Sequence, residues 1–421
     1  MSATKHKIMP KPIFDENIKQ NYKILIPDML TFHFELISGV MRQHGFNVEV
    51  LRTTHKGIVE EGLKNVHNDT CYPALLVIGQ MIDALKSGKY DLNRTALMMA
   101  QTGGGCRASN YISLLRKALE HNGMGQVPVL SLNFSGLEKK SSMPISSRML
   151  LKLIYSILYA DFMMCIVNQC IPYEVNKGQS DALVRRWNRR LLKQMESGTG
   201  FLRLRRNYKA ILADFEQIPL VKTEKIKVGI VGEIYIKYAA LGNNDLEKYL
   251  VSEGAEVINS GLLDFMMYTV HIPIYDKKLY GTTGIKYFIH RFVLWMMILR
   301  QREIIQTIKN HGVFRPPVEF SSIMKMARGY LDYGVKMGEG WLLTAEMLEL
   351  IHAGVNNIVS VQPFGCLPNH IVAKGMIRKI KDSHPQANIV AVDYDPGASR
   401  INQENRIKLM LANAAMRSAE N

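Results

Sequence analysis

Five cysteines are spread over 421 residues, and three of them share one local setting. Cys106 closes the segment Gln101-Thr-Gly-Gly-Gly-Cys106, directly after an apolar run, Thr95 to Ala100, and just before a helical pattern starting at Ala108. Cys366 closes Gln362-Pro-Phe-Gly-Cys366, after the apolar run ending at Val361, and Pro368 behind it suits the first turn of a helix. Cys71 precedes Tyr72-Pro73, again a helix start. A cysteine where a strand gives way to a helix meets unpaired backbone N–H groups and the positive end of the helix dipole. Both favour the thiolate, the form that binds metal. Gly103, Gly104, Gly105 and Gly365 let the backbone approach a bulky ligand and donate N–H groups to it. Three such cysteines could converge on one centre.

The intervals between them, 35 and 260 residues, match no ferredoxin run and no zinc-finger spacing. Zinc held by the three cysteines and His370 stays open, because His370 lies close to Cys366. A nucleophilic cysteine is the weaker alternative, since no base stands near one in the sequence. Cys165 and Cys170 lie on an apolar helical pattern, Phe162 to Cys170, five residues apart and so on different faces. They read as core residues, and the methionines around them as core filling. Glu233, in Gly-Glu-Ile-Tyr235, and Asp393 and Asp395 follow apolar runs and face the same predicted crevice. Each is a candidate proton donor or a cap, with capping the default for the aspartates.

The elements that would position these residues alternate. In the first third, short apolar runs at 23–27, 46–51, 95–100 and 127–132 are separated by helical spacings at 31–44, 73–85 and 108–121. From 147 to 216 the strand signals vanish and long helical patterns take over. Alternation resumes at 225–231 and continues through 255–258, 357–361 and 388–393, with helical spacing at 242–253, 287–309, 321–333, 342–353, 368–383 and 399–415. The expected fold is α/β: two doubly wound, flavodoxin- or Rossmann-like parallel-sheet lobes joined by a helical segment, with a metal cluster in the cleft between them. The expected divisions are an N-terminal tail over 1–20, a first lobe over 21–146 carrying Cys71 and Cys106, the helical segment over 147–222, and a second lobe over 223–421 carrying Cys366.

Composition narrows the class. Apolar residues make up 47% and charged residues 21%, enough for real cores and no sign of global disorder. The run Phe292 to Leu299 is too short to cross a bilayer. The basic amino terminus has no apolar segment behind it, so no secretory signal is read there. An odd cysteine count without close pairs argues against a disulfide framework. The expectation is a cytoplasmic protein, with neither membrane nor nucleic acid as a partner. The net charge is +16, and nine Lys or Arg fall between Arg185 and Lys209, opposed only by Glu196. That run is read first as the solvated face of helices. The alternative is a dock for an acidic protein or for phosphates. No P-loop, no complete G-x-G-x-x-G after a strand, no H-E-x-x-H and no G-x-S-x-G occurs, so ATP hydrolysis by this chain alone is not expected.

The stretches Asn68 to Ala74, Gln101 to Tyr111, Gly232 to Tyr238, Gln362 to His370 and Asp393 to Gly397 resemble the 2-hydroxyacyl-CoA dehydratase superfamily. The nearest likeness is to its activase-related branch, the part often fused behind an ATP-dependent activase. The likeness runs from about residue 20 to 415. It implies one [4Fe–4S] cluster held by Cys71, Cys106 and Cys366, with one iron open to substrate or a small ligand. It also implies an ATP-hydrolysing activase of the actin/Hsp70-like fold, acting in trans, that delivers one low-potential electron. In the dehydratases that electron goes to a 2-hydroxyacyl-CoA, whose ketyl radical then loses water. This chain lacks the activase module, and with Cys165 and Cys170 set aside it has too few thiols for a double cubane. The expected substrate is an acyl-CoA or another small molecule, with Glu233 or His370 handling protons. A non-catalytic electron carrier or scaffold for the activase is the second expectation and a zinc-stabilised protein the third. The sequence leaves room for a dimer.

Overall fold

The computed structural model describes residues 15–67, 69–133, 143–281 and 284–420. Most of the tail expected over 1–20, and Asn68 of the first motif, lie outside the described residues.

Two four-stranded sheets, each wholly parallel, carry the fold. The first holds β1 (Lys23–Pro27), β2 (Val48–Leu51), β3 (Thr95–Gln101) and β4 (Val129–Asn133) in the order β2-β1-β3-β4. The second holds β5 (Lys227–Gly232), β6 (Glu256–Ile258), β7 (Asn357–Pro363) and β8 (Asn388–Tyr394) in the order β6-β5-β7-β8. The two orders are the same. In each, the chain steps outward from its first strand to an edge, then crosses back to the far side of that strand. Such a reversal opens a crevice at the carboxyl ends of the two central strands, here β1 with β3 and β5 with β7.

The chain divides into two compact units. The first comprises residues 1–28 and 41–149, the second 29–40 and 150–421. The helical stretch expected over 147–222 is thus counted almost wholly with the second sheet, as is the first part of the helix Thr31–Gln43.

In the first unit the central strands are apolar on both faces, as strands covered on both sides must be, with Ile24, Leu25, Ala96 and Leu97 fully buried. The helix Tyr72–Lys86 is buried along nearly its whole length. It meets the helix Lys56–Asn65 so closely that a Cβ on Gly79 would lie 2.2 Å from the Ile58 carbonyl oxygen. Only glycine permits that contact.

In the second unit the helix Trp341–His352 packs Leu343, Met347, Leu348 and Ile351 onto Val231 and Ile358 of the sheet. The helix Ser147–Cys170 is apolar and long enough to cross a membrane by composition, but 67% of its most apolar window is buried inside the protein. Asp161 on this helix accepts hydrogen bonds from the backbone of Leu262 (2.9 Å) and Leu263 (2.7 Å). It thereby caps the helix Leu262–Tyr280 from a neighbouring element. His33 Nε2 lies 2.5 Å from the same carboxylate. Sequence spacing missed the helix Leu262–Tyr280, in which Pro273 interrupts the pattern.

Candidate functional site

The residues singled out in the sequence sit at the carboxyl edges of the two sheets. In the first unit Cys106 is the residue from which the chain enters a 3-10 turn, Arg107–Ser109, followed by the helix Tyr111–His121. The strand end and this turn are tied together. The Gln101 side-chain amide donates to the Ser109 carbonyl (2.8 Å), and the Ser131 hydroxyl on β4 donates to Gln101 Oε1 (3.1 Å). Gly104 adopts φ +76° in the loop, a conformation that favours glycine, and a Cβ there would meet nothing within 4 Å.

Cys71 caps the helix Tyr72–Lys86 with Pro73 in its first turn, as the sequence implied. That helix leads into β3 and so starts at the carboxyl edge. Its thiol is buried, and Sγ lies 2.9 Å from the Tyr111 hydroxyl. Cys71 and the segment bearing Cys106 are therefore brought together within one unit.

The second unit repeats this plan with different chemistry. Cys366 follows β7 as Cys106 follows β3, and caps the helix Leu367–Val372. Asn369, fully buried, donates to the Val361 carbonyl (2.8 Å) and pins that helix to the strand. Gly365 adopts φ +70°. The helix Trp341–His352 precedes β7 as Tyr72–Lys86 precedes β3, but its cap is Gly340, not a cysteine. Gly340 has φ +48°, and a Cβ there would lie 2.2 Å from the Val335 carbonyl oxygen and 2.4 Å from the Tyr268 hydroxyl.

The residue before it, Glu339, is buried and accepts a hydrogen bond from the backbone of Ile234 (2.8 Å). Glu233 caps the same short helix, accepting from Ile236 (2.9 Å). Burial, reinforced by the charge of Glu339, pushes the Glu233 carboxyl up to about 8. Burial raises Glu339 as well. Glu233 is thus both a cap and a carboxylic acid that holds its proton at neutral pH. It stands after β5 and Cys366 after β7, the two strands flanking the topological switch point. Gly338 approaches Pro368, so the loop bearing Glu339 lies against the helix that starts at Cys366. Beside it, Gln362 Oε1 and Asn369 Oδ1 are buried acceptors without a hydrogen-bond partner. Glu339 was missed in the sequence. Its signal is Gly338-Glu-Gly340, a charged residue between two left-handed glycines ahead of an apolar helix.

His370 is exposed, and partial burial with the charge of Lys374 lowers its pKa, so it is a neutral imidazole at pH 7. Asp395 caps its own turn through Gly397 (2.7 Å), whereas Asp393 pairs with Lys374 (2.9 Å) and Arg406 (3.3 Å).

All five cysteines are thiols and none is in a disulfide. Burial pushes the Cys165 and Cys170 thiols up to about 12. Neither is a thiolate at neutral pH, which agrees with a structural role. Cys165 is less deeply placed than a core reading implies. It lines a cavity of about 180 Å³ together with Asp161, Asp264, Arg315, Glu346 and Glu349.

Among the described residues no group of three or more His, Cys, Asp or Glu side chains is gathered to hold a metal ion. Within each unit the donor chemistry still suits a thiolate-ligated centre. Cysteines cap helices, glycine backbone lies beside them, and the first unit adds a second thiol. No protein-family model matches the chain, and no curated protein matches it.

Proposed function

We propose that the chain is a cytoplasmic iron–sulfur protein in which Cys71 and Cys106 of the first unit and Cys366 of the second hold one [4Fe–4S] cluster. The observation that carries this reading is the repeated placement. Three cysteines stand at the starts of the helices that begin at the carboxyl edges of two sheets of identical strand order, while burial holds the remaining two protonated, away from those edges. The helix N-terminal N–H groups and the loops at Gly104 and Gly365 would stabilise the negative charge of a thiolate-ligated centre. When bound, such a centre supplies one-electron transfer and an open iron. The resemblance stated above makes an ATP-dependent activase in trans its electron donor and an acyl-CoA or other small molecule its substrate.

What the chain's own residues contribute lies at the β5–β7 switch point. Glu233 follows β5, which pairs with the β7 strand that leads to Cys366, and its carboxyl is pushed up to about 8, so it is the candidate acid for a leaving hydroxyl. Cys106→Ala is expected to remove the iron and the brown colour of protein purified without oxygen, and Cys165→Ala to leave both unchanged. Equal loss in the two variants rejects the ligand assignment.

A further inference from the structure

The helix Ile285–His311 is apolar on two opposite sides. It runs antiparallel to Leu262–Tyr280, with Gln301 donating to Asp264 (2.8 Å) and Lys277 over the Tyr287 ring (4.4 Å). On the packed side Met297, Ile304, Ile305 and Ile308 are buried. The other side presents Ile285 (75% exposed), Phe288 (62%), Ile289 (52%), Phe292 (60%), Trp295 (54%) and Leu299 (36%) to solvent. Residues 285, 288, 292, 295 and 299 are spaced three, four, three and four apart, the heptad seam by which one helix packs on another. With Ile289 they cover an arc of roughly 120° at about 100° per residue. A helix apolar all round is a buried helix. Among the described residues no element of the second unit covers this stripe.

We propose that the stripe pairs with the same stripe of a second copy of the chain, antiparallel about a two-fold axis at Phe292. The stripe is self-complementary about that residue. Phe292 meets its own copy, Ile285 meets Leu299, and Ile289 meets Trp295, which is the reciprocity an isologous interface requires. Charge selects the direction. In the antiparallel register Lys286 falls beside Ile298 and Arg291 beside Val293, so no cation faces a cation. A parallel pair would stack Lys286 on Lys286 and Arg291 on Arg291, which is unfavourable for like charges. Area selects the occupant. Side chains of this size, a little over half exposed, offer on the order of 100 Å² each, and Leu279 and Tyr280 beside them bring each copy near the roughly 800 Å² per partner of a stable complex.

The test is sedimentation equilibrium of the full chain. The wild type is expected as a dimer, with self-association undiminished or strengthened by added salt, which screens the cations at the rim. Phe292→Asp, at an exposed position, is expected to weaken the dimer by roughly 30-fold or more while the monomer it releases keeps the wild-type circular dichroism spectrum. Phe292→Cys should cross-link to itself on mild oxidation, with Ile285→Cys doing so only when mixed with Leu299→Cys. A wild-type chain that stays monomeric at about 100 μM overturns the proposal. So does a dimer that survives Phe292→Asp. So does a monomer that pellets with anionic phospholipid vesicles and is released by the same substitution, which would assign the stripe to a membrane surface.

Discussion

Lys237→Met is expected to destabilise the protein by about 3–5 kcal/mol, the scale for stripping one partner from a buried ion pair. Lys237 is 3% exposed, and its ammonium donates to both carboxylate oxygens of Glu346 at 3.1 Å. Ser260 completes the arrangement, donating to Glu346 at 2.6 Å, and the Tyr238 hydroxyl donates to the Ser260 carbonyl at 2.7 Å. This cluster joins the helix after β5, the loop after β6 and the helix before β7, the segments that shape the second switch point. Methionine keeps the bulk and removes the charge, leaving a buried carboxylate without its cation. Adding Glu346→Leu removes that penalty, so the double variant should recover much of the loss. Urea unfolding midpoints measure both. A single variant within about 1 kcal/mol of the wild type contradicts this account of the core.

The second large effect is in the pH dependence of stability. The Glu233 carboxyl is raised from 4.5 to about 8. Between those values the folded chain keeps a proton that the unfolded chain has released. Stability supplied by the protonated group is therefore complete below about pH 4.5 and is lost as pH rises through 8. Each retained proton contributes a slope of up to about 1.4 kcal/mol per pH unit. Asp264 is raised to about 8 in the same direction, by burial and by the charge of Asp161. His271 opposes on the acid side. Burial lowers it to about 4, so its contribution is lost as pH falls from 6.5 toward 4.

The clean window is thus pH 6.5 to 8, where the carboxyls alone act. There the wild type should lose stability with rising pH, and Glu233→Gln, which can still accept from Ile236, should lose less. Parallel curves for the two proteins across that window would exclude a protonated Glu233, and with it the proposed acid.

Much of the fold is legible in the sequence because its signals are local. The strands are short β-branched runs bounded by turns, and each parallel strand covered on both faces reads as one apolar block. Ile24 to Ile26 and Ala96 to Met99 are such blocks. Cys71 and Cys366 could be placed at helix starts because a proline follows each of them two residues on, and Cys106 because a glycine run precedes it.

Long-range pairings were not legible. Asp161 caps a helix a hundred residues later, and that helix carries Pro273, which a local reading takes for a break. Glu339 becomes significant only because β5 and the helix before β7 meet. Nor could spacing show that the second unit puts Gly340 where the first has Cys71, since that follows from strand order alone. It also accounts for the count of three edge cysteines and not four.

The central claim is that thiolates from both units serve a single centre. Iron and acid-labile sulfide measured on anaerobically reconstituted wild type and Cys366→Ala address it most directly. The account predicts about four of each per wild-type chain, in the 1:1 ratio of a cubane. It further predicts that Cys366→Ala, altered in the second unit only, loses them as completely as Cys106→Ala does. Full iron in Cys366→Ala, or zinc in place of iron and sulfide in the wild type, would contradict it.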